Sequence, residues 1–225
     1  MIKGFVFDLD GVITDTAILH FEAWQAKVKE LGIDYSFEEN EKLRGLPRLD
    51  TLKAIINLKN PSLKVQEEKL IELCDAKNVL YKQLLEQKIN KDSILPNIAK
   101  FLEDAKAKGI KLAIASSSYN APLILEKLGL KDAFDYIVYP GDVKNGKPAP
   151  DIFILAAQGL GLSTNECVGF EDATAGIDGI VDANMHSVAI TNGNNEDYSK
   201  ADLILNSTNE LDCAKILTFF NNKDK

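Results

Sequence analysis

Two aspartates that follow the first apolar segment are the residues of this chain best suited to chemistry. The segment IKGFVF (residues 2–7) is rich in residues that favour β-strands, and Asp8 and Asp10 follow it. Two carboxylates at the end of a buried strand are costly unless a positive charge balances them. One of them could attack phosphorus, and the other could transfer a proton to or from the oxygen that leaves or attacks. The pair indicates phosphoryl transfer assisted by a divalent cation, and the alternative is an acid pair that only serves as a turn and helix cap.

Two later apolar segments also end in polar side chains. The segment 111–116 ends in Ser116, and Ser117, Ser118, Tyr119 and Asn120 follow it. Hydroxyl groups and backbone N–H groups at the start of a helix suit a phosphate, although such a run is more often a helix N-cap. The segment 166–169 is followed by Phe170, Glu171 and Asp172. The two carboxylates there add hard oxygen ligands of the kind that Mg²⁺ prefers.

A lysine in a stiff loop supplies the positive charge that these acids need. Lys147 stands in the segment NGKPAPDIF (residues 145–153), where Pro148 disfavours helical backbone for the residue before it. One Mg²⁺ and one lysine together carry enough charge to offset an aspartate that approaches a phosphate. We therefore expect four strand ends to place their polar groups on one rim of the sheet. In chain order, these groups are two acids, hydroxyls, a lysine and two further acids.

The elements that must position these residues alternate along most of the chain. Strands are predicted at 2–7, 111–116, 136–139, 166–169, 187–190 and 203–205, and helices at 96–108, 121–129, 150–160, 173–183 and 209–220. Near-continuous apolar strands that alternate with helices indicate a parallel sheet covered on both faces. In such a sheet the ligand site lies beyond the carboxyl ends of the strands. The predicted fold is an α/β, Rossmann-like, doubly wound parallel sheet with an inserted α-helical cap.

The cap is predicted over residues 15–90, because this segment has helical periodicity and almost no strand signal. The core is then formed by residues 1–14 and 91–225. Lys77 projects to the centre of an apolar helical face. It is either a lysine whose stem packs while its amine reaches solvent, or a cation directed at the cleft between cap and core. His20 lies at the edge of another apolar face, where a packed histidine is the simpler interpretation.

Composition and charge exclude several classes of protein. The chain has 225 residues, 45% of them hydrophobic, and a net charge of −8, which argues against a nucleic-acid-binding protein. Its apolar segments are shorter than the roughly 18 residues of a membrane span, and the first resembles no signal peptide. Cys74, Cys167 and Cys213 form no CxxC pair and are interpreted as reduced core thiols. We expect a cytoplasmic monomer that acts on a small-molecule sugar phosphate, without membrane or nucleic-acid partners.

Four motifs resemble those of the haloacid dehalogenase-like superfamily. DLDGVITD, ASSS, GKPAPD and GFEDATAG occur in the order and spacing of that superfamily, and a helical segment follows the first motif. Longer segments, namely FDLDGVITDTA, HFEAW, LRGLPRLDTL, NGKPAPDIF and GFEDATAGI, are similar to those of the β-phosphoglucomutases. The resemblance implies interconversion of β-glucose 1-phosphate and glucose 6-phosphate through a bound β-glucose 1,6-bisphosphate.

The resemblance also implies roles for individual residues. Asp8 would be the nucleophile and Asp10 the general acid and base. Mg²⁺ would be held by Asp8, the backbone carbonyl of Asp10 and Asp172, with Glu171 also at the site. Ser116 and Lys147 would hold the phosphate that is transferred.

Further residues are assigned to the rest of the substrate in the same way. The other phosphate would contact Arg48, Ser118 and Asn120, with Ser117 and Tyr119 in the same segment. Thr16, His20 and Lys77 would position Asp10 as the cap closes, and Gly45 and Leu46 would line the sugar pocket. Without the resemblance, a solvated surface arginine is the simpler interpretation of Arg48.

One position departs from the mutase pattern. Tyr119 stands where that pattern has a lysine, so a cation is replaced by a neutral hydrogen-bond donor. We expect weaker bisphosphate binding or a somewhat different sugar, with the reaction retained. The alternatives are a phosphatase of the same superfamily acting on sugar phosphates or other small phosphomonoesters, and a non-catalytic sugar-phosphate sensor.

Overall fold

A parallel β-sheet with helices on both faces forms the larger part of the molecule. The computed structural model describes residues 1–43 and 46–223. The strands are β1 Gly4–Phe7, β2 Lys111–Ile114, β3 Tyr136–Ile137, β4 Cys167–Glu171, β5 His186–Ile190 and β6 Leu203–Leu205. They form one sheet in the order β3-β2-β1-β4-β5-β6, and each neighbouring pair is parallel. This topology confirms the predicted fold class.

The five helices predicted after residue 90 are confirmed, with shifts of up to four residues at their ends. In the described residues the helices are α1 Ala17–Val28, α2 Phe37–Glu41, α3 Arg48–Lys59, α4 Glu67–Lys88, α5 Ile98–Ala107, α6 Ala121–Leu128, α7 Asp151–Gly159, α8 Thr174–Asp182 and α9 Cys213–Lys223. Short 3₁₀ turns stand between several of them. The chain contacts divide the protein into two compact units, Met1–Asp15 with Asn90–Lys225, and Thr16–Ile89. The boundaries predicted from sequence each lie one residue away from these.

Successive side chains of β1 point to opposite faces of the sheet. Phe5 and Phe7 pack with Phe101 and Phe170, and the rings of Phe7 and Phe170 stack with centroids 4.7 Å apart. Val6 belongs to the cluster on the other side, which also contains the buried Phe153 of α7. Because β1 is buried on both faces in the centre of the sheet, its carboxyl end is held in a fixed position.

The helical unit has a core of its own. Trp24 and Val28 of α1 are buried with Leu52 and Ile55 of α3 and with Leu73 of α4. The apolar faces of these three helices therefore form the interior of this unit. In the part of the chain that is described, no helix combines the length and the apolar character needed to cross a lipid bilayer.

Candidate active site

The carboxyl end of β1 carries the first candidate residue into contact with a lysine. Asp8 is only 8% exposed, and its backbone N–H still donates to the carbonyl oxygen of Phe170, which continues the strand pairing. The Nζ atom of Lys147 lies 2.6 Å from Oδ1 of Asp8 and 2.5 Å from Oε1 of Glu171. One buried ammonium thus bridges two carboxylates that belong to different strand ends.

The loop that carries Lys147 is fixed at both of its ends. The backbone N–H and the side-chain amide of Asn145 both donate to Oδ1 of Asp151, at 3.1 and 3.0 Å, at the start of α7. The peptide bond between Lys147 and Pro148 is cis. On the other side the loop packs against α8, where a Cβ added at Gly179 would lie 3.0 Å from the carbonyl oxygen of Ala149. The lysine is therefore placed by its loop.

Glu171 is held by hydrogen bonds that use both of its oxygens. Its Oε2 accepts from the backbone N–H groups of Asp172 and Ala173, at 2.8 and 2.9 Å, and its Oε1 accepts from Lys147. A Cβ at Gly176 would lie 1.9 Å from Oε1, so the α8 glycine makes room for this carboxylate. Strand β4 extends to Glu171, two residues beyond the predicted end, because Glu171 still pairs with Ala189 of β5.

Asp172 and the turn after Asp10 lie directly against each other. Gly11 has a φ of +84°, and a Cβ there would come within 1.9 Å of Oδ2 of Asp172. Glycine meets both demands, because it accepts the left-handed conformation and leaves the space open. Carboxylate oxygens of Asp8, Glu171 and Asp172 all lie within 4.8 Å of one another. Three strand-end acids predicted from the sequence are thus brought into one cluster.

The charge balance of this cluster shifts the pKa values of its members. The pKa of Asp8 is raised to about 7, mainly because the carboxyl is buried; Lys147 opposes this rise, and repulsion from Glu171 and Asp10 contributes to it. Burial by itself would lower the pKa of Lys147, but its contacts with Asp8 and Glu171 raise that pKa above its usual value. The single charge of Lys147 does not offset three carboxylates. Hard oxygen donors with an excess of negative charge fit a divalent cation such as Mg²⁺.

The polar residues 116–120 follow β2, as predicted, and their side chains differ in exposure to solvent. Ser116 is 4% exposed and Asn120 is 7% exposed, whereas Ser117 and Tyr119 are exposed and Ser118 is half-buried. The Ser116 hydroxyl accepts from the backbone N–H of Ser118 at 3.1 Å, and the Ser118 hydroxyl accepts from that of Asn120 at 3.2 Å. These contacts hold the run in a compact turn before α6. The Tyr119 ring contacts Tyr139 edge to face, with centroids 5.7 Å apart.

In the helical unit, three predicted residues meet around one tyrosine. The Nζ atom of Lys77 lies 2.7 Å from Nδ1 of His20, and the Thr16 hydroxyl lies 2.8 Å from the hydroxyl of Tyr81. The Tyr81 ring packs on His20, with centroids 4.1 Å apart, and Lys77 Nζ lies 4.6 Å from the centre of the same ring. Trp24 flanks Lys77 at 5.1 Å. Lys77 is 3% exposed, so the alternative of an amine that reaches solvent is wrong.

The remaining predicted substrate residues are more exposed. Arg48 begins α3 and is half-buried, and its Nη1 lies 4.0 Å from Oδ1 of Asp75. Leu46 is 45% exposed. Gly45 lies outside the described residues.

Three residues that contact the predicted site residues or their neighbours were not identified from the sequence. Tyr81 lies in an apolar helical segment and has no motif of its own, although it contacts Thr16, His20 and Lys77. Asn192 and Tyr198 lie in a polar segment after β5 and contact the backbone of Gly11 and Asp172. The segment TNGNNEDY carries turn-forming residues and no recognisable motif, so its sequence gave no signal for these contacts.

Comparison with known families defines the class of this protein. The sequence profile of the haloacid dehalogenase-like hydrolases matches residues 2–184. The chain belongs to that family, and it is an enzyme homologous to β-phosphoglucomutase.

Individual relatives include both mutases and phosphatases. The chain is 40% identical to β-phosphoglucomutase of Bacillus subtilis over 209 residues, which cover 93% of this chain and 91% of the relative. The crystal structure of β-phosphoglucomutase from Clostridium difficile is similar with a TM-score of 0.92 and 42% identity, covering 100% of this chain and 99% of that one. A fructose-1-phosphate phosphatase of Escherichia coli is 32% identical over 187 residues, which cover 83% of this chain and 95% of the relative.

Proposed function

We propose that this protein is a Mg²⁺-dependent phosphomutase that interconverts β-glucose 1-phosphate and glucose 6-phosphate through β-glucose 1,6-bisphosphate. The observation that carries the proposal is the similarity to two β-phosphoglucomutases over nearly the whole chain, at 40% and 42% identity. Sugar phosphatases of the same family match less closely, as the 32% identity to the Escherichia coli enzyme illustrates. We propose a monomer as the active form.

The core residues fit an aspartyl-phosphate mechanism. In one half of the reaction, an oxygen of Asp8 attacks phosphorus, the bond from phosphorus to the sugar oxygen breaks, and Asp10 gives its proton to that oxygen. In the other half, Asp10 takes the proton of a sugar hydroxyl, which attacks the phosphorylated Asp8 and regenerates its carboxylate. Splitting the transfer in this way replaces one difficult step by two easier ones.

The positive charge of Lys147 reduces the repulsion between the nucleophile and the phosphate. Its Nζ lies 2.6 Å from Oδ1 of Asp8, in a site where its side chain is only 14% exposed. A cation fixed there before the reaction stabilises charge that develops on the transferred group, and it needs little reorganisation to do so. The contact with Glu171 also fixes the ammonium beside Asp8.

The acidic cluster is the proposed metal site. Asp8, the backbone carbonyl of Asp10 and Asp172 would hold Mg²⁺, and Glu171 would orient the surrounding groups through its hydrogen bonds. When bound, the ion supplies positive charge that offsets the approach of a carboxylate to a phosphate.

The mutase reaction requires two phosphate sites, because its intermediate carries a phosphate at each end and must reverse its orientation in the site. We propose that Ser116 and Lys147 bind the phosphate that is transferred. We propose that Ser118, Asn120 and Arg48 bind the other, with Ser117 and Tyr119 beside them and Gly45 and Leu46 near the sugar. Thr16, His20 and Lys77 are proposed to position Asp10.

The test compares isomerisation with hydrolysis in one reaction. The protein is incubated with Mg²⁺, a trace of β-glucose 1,6-bisphosphate and β-glucose 1-phosphate, and glucose 6-phosphate and inorganic phosphate are both measured. A mutase forms glucose 6-phosphate in large excess over inorganic phosphate, and Asp8→Asn abolishes this. Inorganic phosphate as the main product would support the phosphatase alternative, and full activity of Asp8→Asn would rule out the covalent route.

A further inference from the structure

The segment between β5 and β6 contacts two backbone groups beside the acidic cluster. The side-chain amide of Asn192 donates a 2.8 Å hydrogen bond to the carbonyl oxygen of Gly11. The hydroxyl of Tyr198 donates to the carbonyl oxygen of Asp172. Gly11 directly follows Asp10, and Asp172 belongs to the cluster itself. One short segment therefore reaches the turn after β1 and the residue after β4.

These two backbone positions also touch each other. A Cβ added at Gly11 would lie 1.9 Å from Oδ2 and 2.3 Å from Cγ of Asp172, so the carboxylate packs against the turn without spare room. The contact limits how closely the two strand ends can approach, and the hydrogen bonds from the β5–β6 segment hold them together. The distance between the turn at Gly11 and Asp172 is thus limited in both directions.

The segment is itself well anchored. Tyr198 is 4% exposed and its ring lies in the core cluster that contains Ile177 and Ile180 of α8. Its hydroxyl also accepts a 2.7 Å hydrogen bond from the side-chain amide of Asn194, so it donates to one partner and accepts from another. The Asn194 side-chain oxygen in turn accepts from the backbone N–H of Glu196 at 3.0 Å. A hydroxyl fixed by two partners has a defined direction.

We propose that Tyr198 and Asn192 are positioning residues of the metal site, which set the spacing between the turn after Asp10 and the carboxylate of Asp172. The inference depends on the proposed function only through the premise that the acidic cluster binds a divalent cation. Neither residue is proposed to touch the metal or the substrate. Replacing them should therefore lower metal affinity more than it lowers turnover at saturating metal.

The expected size follows from other metal sites. Loss of a hydrogen bond that orients a ligand commonly lowers metal affinity by about 10- to 100-fold. We expect Tyr198→Phe, which removes only the hydroxyl, to raise the dissociation constant for Mn²⁺ about tenfold or more. Asn192→Ala should act in the same direction. Because both residues fix one spacing, the double variant should lose less than the product of the two single effects.

The experiment measures Mn²⁺ binding to the metal-free protein by electron paramagnetic resonance of the free ion. The matched controls are Tyr139→Phe, an exposed tyrosine after β3, and Asn165→Ala, an exposed asparagine before β4. As a second readout, the Mg²⁺ concentration for half-maximal turnover should rise in the two test variants, while turnover at saturating Mg²⁺ stays within about twofold. A residue that only supports folding would not produce this split.

The possible outcomes separate the inference from its premise. If the wild-type protein binds Mn²⁺ and both test variants bind it like the controls, the positioning role is refuted and the proposed function stands. If the wild-type protein does not bind Mn²⁺, the metal site itself is wrong and the inference falls with it. Should Tyr198→Phe fail to fold, Asn192→Ala carries the test, because that side chain is exposed.

Discussion

Replacing Asp8 by asparagine should stabilise the metal-free protein while it abolishes catalysis. The pKa of Asp8 is raised from 3.8 to about 7, mainly by burial. A carboxyl whose pKa is higher in the folded chain binds its proton more tightly there, so its ionisation destabilises the fold. This destabilisation begins above pH 3.8 and is complete above about pH 7. Asparagine resembles the protonated side chain and cannot ionise, so the variant escapes the effect.

The magnitude follows from the two pKa values. Their difference corresponds to about 4 kcal/mol of unfolding free energy above pH 7, of which rather less than half is already present at pH 5. The advantage of Asp8→Asn over the wild type should therefore widen by about 2 to 3 kcal/mol between pH 5 and pH 8. The contact with Lys147 survives in part, because the amide oxygen can still accept its hydrogen bond.

The assay is urea unfolding of both proteins in the presence of a chelator at pH 5 and pH 8. Asp142→Asn, at an exposed site after β3, serves as the control and should show no such widening. An Asp8→Asn variant that is less stable than the wild type at pH 8, or whose advantage does not change with pH, would refute the electrostatic reasoning. Added Mg²⁺ should close the gap, because the ion stabilises the ionised carboxylate of the wild type.

Other predictions concern the cations of the proposed site. Lys147→Ala should lower turnover by about 10²- to 10³-fold, as loss of a fixed transition-state contact does, while Lys144→Ala in the same loop should change steady-state rates little. Arg48→Ala should lower mutase turnover by about 10- to 100-fold with far less effect on hydrolysis, since a charge-assisted hydrogen bond contributes about 1.5 to 3 kcal/mol; equal loss of both activities would favour the phosphatase. Tyr119→Lys should tighten β-glucose 1,6-bisphosphate binding by about tenfold in calorimetry, since an added charge-assisted contact is the stronger one; an unchanged and already high affinity would contradict the role given to this position.

The sequence was sufficient to predict the residues at the strand ends. Parallel strands place their carboxyl ends on one edge, so Asp8, Glu171 and Asp172 were expected on the same edge of the sheet once their strands were recognised. Lys147 was predicted from its stiff loop, which follows the strand predicted at 136–139. Residues in short motifs at the end of a strand are therefore the part of the site that can be predicted from the sequence.

The contacts that arise between distant segments could not be predicted in this way. Tyr81 follows Thr16 by 65 positions, and only the packing of α1 against α4 brings their hydroxyls together. Asn192 and Gly11 are 181 positions apart, and their hydrogen bond depends on the path of an irregular segment. Lys77 shows an intermediate case, because periodicity placed it on an apolar face but did not reveal His20 as its neighbour.

The most direct test of the central claim is to locate the phosphoryl group during turnover. The protein is mixed with Mg²⁺ and labelled β-glucose 1,6-bisphosphate, quenched in acid, digested and analysed by mass spectrometry. The account predicts a phosphorylated peptide that contains Asp8, formed at a rate compatible with turnover and absent from Asp8→Asn. Turnover without a label on that peptide, or a label on another residue, would contradict it.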